Sequence, residues 1–129
     1  MKFKELQEKV LEWADSHDLL HEENADKQFM KFIEEVFEFR DAITLYTHEY
    51  NGLECEFNSY GEIESDYCLY ELEKNLTLEM GDIIVTLVIL CKQLGIDPME
   101  CLEKAYNKIK DRQGKTVDGK FIKAEDLEK

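Results

Sequence analysis

The chain has a single proline, Pro98, and only six glycines in 129 residues. So few breakers argue against a β-rich fold with its many turns and favour long helices. Bases are scarce too, with sixteen Lys and Arg against thirty Asp and Glu, for a formal net charge of −14. A surface that acidic repels nucleic-acid backbones and anionic bilayers, so neither is expected as a partner. A phosphorylated ligand would then need a cation, a local basic cluster, or both. The four cysteines, Cys55, Cys68, Cys91 and Cys101, include no Cys-x-x-Cys pair and no histidine at zinc-finger spacing. The common zinc modules are thereby excluded, and the cysteines read as reduced thiols of a cytoplasmic protein. The start, Met1-Lys2-Phe3-Lys4-Glu5, lacks a signal-peptide pattern. The longest apolar run, residues 83–91, is too short to span a bilayer.

What is present is helical periodicity. Residues 2–16 place Phe3, Leu6, Val10, Trp13 and Ala14 at helical spacing, and a polar loop follows to about residue 24. A second helix is predicted over 25–50, with Phe29, Phe32, Ile33, Val36, Phe37 and Ile43 on one face. Residues 51–66 lose the period and read as an acidic loop or insertion, within a departure spanning about 50–70. A third helix is predicted over 67–94, with 75–77 the place where it could break, and Gly95 as its stop. Asp97-Pro98 then supplies an N-cap followed by proline at the first helical position. The fourth helix carries Met99, Leu102, Ala105, Tyr106 and Ile109 and fades after Arg112. A polar tail over 113–129 contains Asp118-Gly119, suited to a small hairpin across 117–122. The expectation is one all-α domain over 1–129, a four-helix bundle.

Two clusters of acids conflict with this pattern. From 76 to 94 nearly every direction around the third helix is apolar, which predicts a helix buried on all sides. Glu79 and Asp82 sit inside that run, three residues apart and thus neighbours on one face. Carboxylates in apolar surroundings cost several kcal/mol unless paired, protonated or metal-bound. Gly81 lies between them, where glycine costs roughly 1 kcal/mol relative to alanine, and close approach of another backbone would explain it. The second helix carries Glu34-Glu35-Val36-Phe37-Glu38, with all three carboxylates on one broad stripe. Alone that stripe reads equally as a solvated face, with Lys31 available to pair with Glu35. Ala42, Leu45 and Tyr46 continue it with apolar residues and argue that it is covered. Antiparallel neighbours would bring Glu35 and Glu38 against Glu79 and Asp82. An all-oxygen set without His or Cys suits Mg²⁺ or Mn²⁺. The Glu-x-x-His motifs of di-iron bundles are missing, and His17, His21 and His48 fit surface positions near helix ends.

The ordered pair Glu34-Glu35-Val36-Phe37-Glu38 and Glu79-Met80-Gly81-Asp82 resembles the signature of the MazG-like all-α nucleotide pyrophosphohydrolases. Trp13-Ala14, the Lys31-Phe32-Ile33 lead-in and the stretch from Ala105 to Lys115 resemble the same family. The likeness covers most of the chain outside about 50–70. It implies a magnesium-dependent hydrolase, converting a nucleoside triphosphate to the monophosphate and pyrophosphate. By position, Glu35, Glu38, Glu79 and Asp82 would hold Mg²⁺, with Glu34 or Glu35 orienting or deprotonating the attacking water. Asn107 and Lys110, with Arg112 and Lys115 as helpers, would approach the phosphates. Trp13 would line the base pocket or serve as a core aromatic. A homodimer or homotetramer is implied, which would also cover the apolar third helix. The forty residues between Glu38 and Glu79 (79 − 38 − 1) exceed the family's usual spacing. A non-catalytic metal-binding module and an acidic docking bundle remain alternatives at this stage.

Overall fold

Helix α1 (Phe3–Ser16) opens with the Lys2 amide donating to Glu5 Oε2 at 3.3 Å. It ends as the Leu19 amide reaches back to the Ala14 carbonyl at 3.0 Å, with Asp18 left-handed at φ 58°. Aspartate is among the few residues that adopt this conformation readily. A 3₁₀ turn (Glu22–Asn24) leads into α2 (Ala25–Cys55), and α3 (Gly61–Gln93) follows. This computed structural model describes the backbone of residues 1–55 and 61–128, and the side chains of 1–48 and 69–128. The chain divides into two units, Met1–Gly95 and Ile96–Lys129. It is predominantly helical, as expected for the all-α class.

Within the first unit α2 and α3 run antiparallel. Gln28 Nε2 donates to the Thr86 carbonyl at 3.2 Å, while Glu35, two turns further along α2, meets Glu79 and Asp82, further back along α3. Gln28, Glu35 and Ala42 are spaced by seven, so they share the side of α2 that faces α3. Ala42 is only 4% exposed, its small side chain allowing close approach. The apolar core consists of Ala14, Ala42, Val88, Ile89 and Cys91, joined by buried Thr86 and Gln93. Gln93 Nε2 donates to the Leu19 carbonyl at 2.7 Å and ties the end of α3 to the chain leaving α1. Gly95, at φ 70°, closes α3 by donating its amide to the Lys92 carbonyl at 3.1 Å.

Three expectations require correction. Most of the loop expected over 51–66 is helical, since α2 continues to Cys55 and α3 starts at Gly61; residues 56–60 lie outside those described. Glu and Leu in these flanks are good helix formers and outweigh the two glycines. Nor does α3 break at 75–77: the Thr77 hydroxyl donates to the Glu73 carbonyl at 2.9 Å, so it joins the helix rather than interrupting it. On α2 the rings of Phe29 and Phe37 are exposed, while Glu35 and Ala42 are buried on the side that the run from Ala42 also argued to be covered. Within the single chain burial of α3 is one-sided, with Leu78, Ile84 and Leu87 at 59%, 41% and 38% exposure, which leaves the cover expected there to a second copy.

In the second unit, Asp97 caps α4 (Pro98–Ile109) by accepting from the Met99 amide at 3.0 Å, with Pro98 in the first turn. Strands β1 (Gly114–Val117) and β2 (Lys120–Lys123) form an antiparallel hairpin, in register from Gly114↔Lys123 to Val117↔Lys120. Asp118 and Gly119, at φ 51° and 77°, make the two-residue turn, whose hand matches strand twist. The hairpin is thus longer than the 117–122 expected. Gly114 is fixed by space, because a Cβ there would strike the Ile122 carbonyl oxygen and the Phe121 ring. The short α5 (Ala124–Leu127) is fastened by the Ala124 amide donating to the Gln113 carbonyl at 2.8 Å. Among the described residues no helix is long and apolar enough to cross a membrane.

Candidate metal centre

The α2 side that faces α3 carries a carboxylate where a bundle would ordinarily place an apolar group. Glu35 is 7% exposed, with Gln28 one heptad before it and Ala42 one heptad after. Opposite, Glu79 is half-buried and Asp82 is exposed, one turn apart on α3. One ligand atom from each of Glu35, Glu79 and Asp82 can be chosen so that all lie within 4.8 Å of one another. Three like charges this close repel in proportion to their shielding from water.

Compensation within the chain is incomplete. Lys31 Nζ lies 3.1 Å from Glu35 Oε1 and 3.3 Å from Glu34 Oε2. Its ammonium is held above the usual lysine range by the hydrogen bond to Glu35 first, then that to Glu34. The pairing that the sequence suggested is therefore present, yet it satisfies only one oxygen of Glu35. Glu35 Oε2 and Glu79 Oε2 are buried and have no hydrogen-bond partner. Glu38 stands beside Glu35, whose carboxylate, by hydrogen bonding and then by charge, pushes the Glu38 carboxyl above its ordinary range. Two carboxylate oxygens, one on Glu35 and one on Glu79, remain buried without a partner.

A divalent cation would supply what is missing. The donor set is all carboxylate, which suits a hard ion that takes oxygen ligands and keeps waters or phosphate oxygens in its remaining positions. Among the described residues this is the acidic group close enough to share one ion. The residues present fit Mg²⁺ or Mn²⁺.

The other residues singled out in the sequence are placed as follows. Glu38 adjoins Glu35 but lies outside the set that meets within 4.8 Å. Glu34 is exposed and drawn toward Lys31. Trp13, on α1, is half exposed and its ring lies 4.5 Å from that of His17. Asn107 and Lys110 are exposed at the end of α4, Arg112 is half-buried just beyond it, and Lys115 is exposed on β1; all four belong to the second unit. The three histidines are exposed, as expected. His21 lies 2.5 Å from Asp18, whose hydrogen bond raises the imidazole pKa. Gly81 is a correction, since a Cβ there would meet no atom within 4 Å and close backbone approach does not explain it. Sequence reasoning missed Gln28, whose amide fixes the register that brings Glu35 to α3. Its signal was the spacing of seven through Glu35 to Ala42.

The family model for the MazG nucleotide pyrophosphohydrolase domain matches residues 24–117, which contain both carboxylate segments. Comparison with curated proteins and with solved structures gave no match.

Proposed function

The chain belongs to the MazG nucleotide pyrophosphohydrolase domain family, and from that membership we propose that it hydrolyses nucleoside triphosphates, ribo or deoxy, to the monophosphate and pyrophosphate. The observation that carries this reading is the meeting of Glu35, Glu79 and Asp82 within 4.8 Å, with one oxygen of Glu35 and one of Glu79 buried and unpartnered. They are a standing electrostatic cost that a bound cation converts into binding energy. In the proposal Glu35, Glu79 and Asp82 hold Mg²⁺, with Mn²⁺ as substitute, and Glu38 beside Glu35 is the fourth carboxylate of the set. A bound Mg²⁺ supplies positive charge to the polyphosphate oxygens and acidifies water.

The chain's own groups do the rest. Glu34 or Glu35 orients a water toward the α-phosphorus and takes its proton. The new P–O bond forms as the α–β anhydride bond breaks, and pyrophosphate leaves with the bond's electrons. Asn107, Lys110, Arg112 and Lys115 are assigned to the phosphates, where fixed positive charge and donors stabilise the departing group. Trp13, with its face half exposed, is assigned to the base. The reading places the reaction in the cytoplasm.

The expected result is pyrophosphate release from a panel of canonical and modified nucleotides, dependent on Mg²⁺ or Mn²⁺ and abolished by EDTA. A folded, Mg²⁺-binding protein releasing none would instead be a non-catalytic module.

The fold proposed with this activity is a four-helix bundle completed by a second copy, or by three. It is supported by large apolar side chains left open on α1 (Phe3, Leu6) and on α3 (Leu78, Ile84, Leu87). Large apolar side chains left open on two helices are available to an association surface. Gel filtration with light scattering should give a dimer or tetramer; a monomer at micromolar concentration would reject the assembly.

A further inference from the structure

Among the described residues Lys31 is the cation that pairs with the carboxylate centre, and its position raises a question of chemistry. It is half exposed and sits one turn before Glu34 and Glu35 on α2, reaching both carboxylates at 3.3 and 3.1 Å. If it merely neutralised Glu35, its charge would oppose any metal bound there. Its geometry does something more particular. It occupies Oε1 of Glu35, while Oε2 of the same carboxylate is buried without a partner. The side chain is 91% buried, its relative exposure being 9%, so Glu35 has little freedom to turn its second oxygen into the centre. The same ammonium holds Glu34 Oε2 on the exposed side of the helix.

The consequence depends on the ion. Ca²⁺ takes six to eight oxygens at longer distances and commonly draws both oxygens of a carboxylate. Mg²⁺ demands a compact octahedron and takes one oxygen from each. A glutamate with one oxygen already engaged suits the smaller ion and handicaps the larger. Resting on the metal-centre reading above, we propose that Lys31 is a positioning residue that sets ion selectivity: by engaging Glu35 Oε1 it leaves Glu35 a single oxygen to give, favouring Mg²⁺ over Ca²⁺. Both cations carry the same charge, so the electrostatic effect of losing Lys31 acts on both alike. The ratio of their affinities isolates the geometric effect.

The test is calorimetric titration of the intact protein with Mg²⁺ alone and with Ca²⁺ alone. It compares the parent with Lys31→Met and Lys31→Arg, using circular dichroism to verify folding. Lys31→Met should shift the Ca²⁺-to-Mg²⁺ affinity ratio toward Ca²⁺ by about tenfold, the size of effect carried by one charge-assisted contact. Lys31→Arg retains a donor to Oε1 and should keep the ratio near that of the parent, a rescue that loss of structure would not produce. An unchanged ratio in Lys31→Met, with both ions still binding, overturns the role of Lys31 and leaves the metal centre standing. Failure of the parent to bind either ion overturns the metal centre itself, and the selectivity role with it.

Discussion

Glu79→Gln and Asp82→Asn proteins are expected to lose pyrophosphate release by ~10²-fold or more, since even outer-shell partners of metal ligands cost 10- to 100-fold when removed. The two variants should differ in stability without metal. Glu79 Oε2 is buried without a partner and its carboxylate faces that of Glu35. Replacing it with a neutral amide removes a repulsion and adds a donor that Glu35 can accept, so metal-free Glu79→Gln should melt above the parent. Asp82 is exposed, so water already screens its charge, and Asp82→Asn should melt close to the parent. This opposition of lost activity and gained stability is expected of a site whose charges are arranged for a ligand rather than for the fold. A drop in melting temperature for Glu79→Gln would show that the carboxylate has a stabilising partner. Near-normal turnover in both variants would sink the site.

The second large effect is the response of stability to Mg²⁺. A ligand that binds only the folded state at a hundredfold excess over its Kd stabilises by about 2.7 kcal/mol. For a domain of this size that amounts to roughly 10 °C in Tm. The shift should appear in the parent, read by differential scanning fluorimetry or calorimetry, and vanish in Glu79→Gln. It should also depend on pH. The Glu38 carboxyl lies above its ordinary value of 4.5 in the metal-free fold, because Glu35 stands beside it. The folded protein therefore holds that proton more tightly than the unfolded chain does. Its stabilising effect is present at low pH and is lost as pH rises from 4.5 through the raised value. Mg²⁺ needs the carboxylates deprotonated, so its apparent affinity falls on acidification across the same interval. Comparing parent with Glu38→Gln isolates this group. Without metal, the parent's stability should fall relative to the variant as pH climbs through that range. Parallel pH profiles for the two proteins would contradict it.

The convergence of Glu35, Glu79 and Asp82 was legible because chemistry and surroundings disagreed at those positions. Acids inside an apolar helical run require an answer, and their spacing restricted where it could lie. The ends were legible for local reasons: Gly95 and Asp97-Pro98 act through their own backbones, and Asp118-Gly119 suits the turn it makes. The buried side of α2 was harder. A helical wheel weighs Phe29 and Phe37 as core residues by their size, yet both are exposed and the small Ala42 is covered. What decides that side is the contact with α3, where the Gln28 amide finds the Thr86 carbonyl. Such a pairing is a property of two segments fifty-eight residues apart, and its local trace is only the spacing of seven through Glu35 to Ala42. The segment over 51–66 misled because glycine and lost periodicity resemble a loop, while helix propensity in the flanks carries both helices onward.

The antiparallel pairing of α2 and α3 also bears on how this chain can vary in length. Glu35 and Glu79 lie 44 positions apart (79 − 35), yet their meeting is fixed by contacts close to them, Gln28 on Thr86 and Ala42 against α3. Little of that depends on how far the helices run before the chain turns back. The entropy of closing a connection grows only logarithmically, about 0.6 kcal/mol for each doubling. Whole helical turns can therefore be added or removed in pairs at the far end while the carboxylates keep their places. The far end of the α2–α3 pair is thus the natural point for grafting a probe, a tag or a second domain.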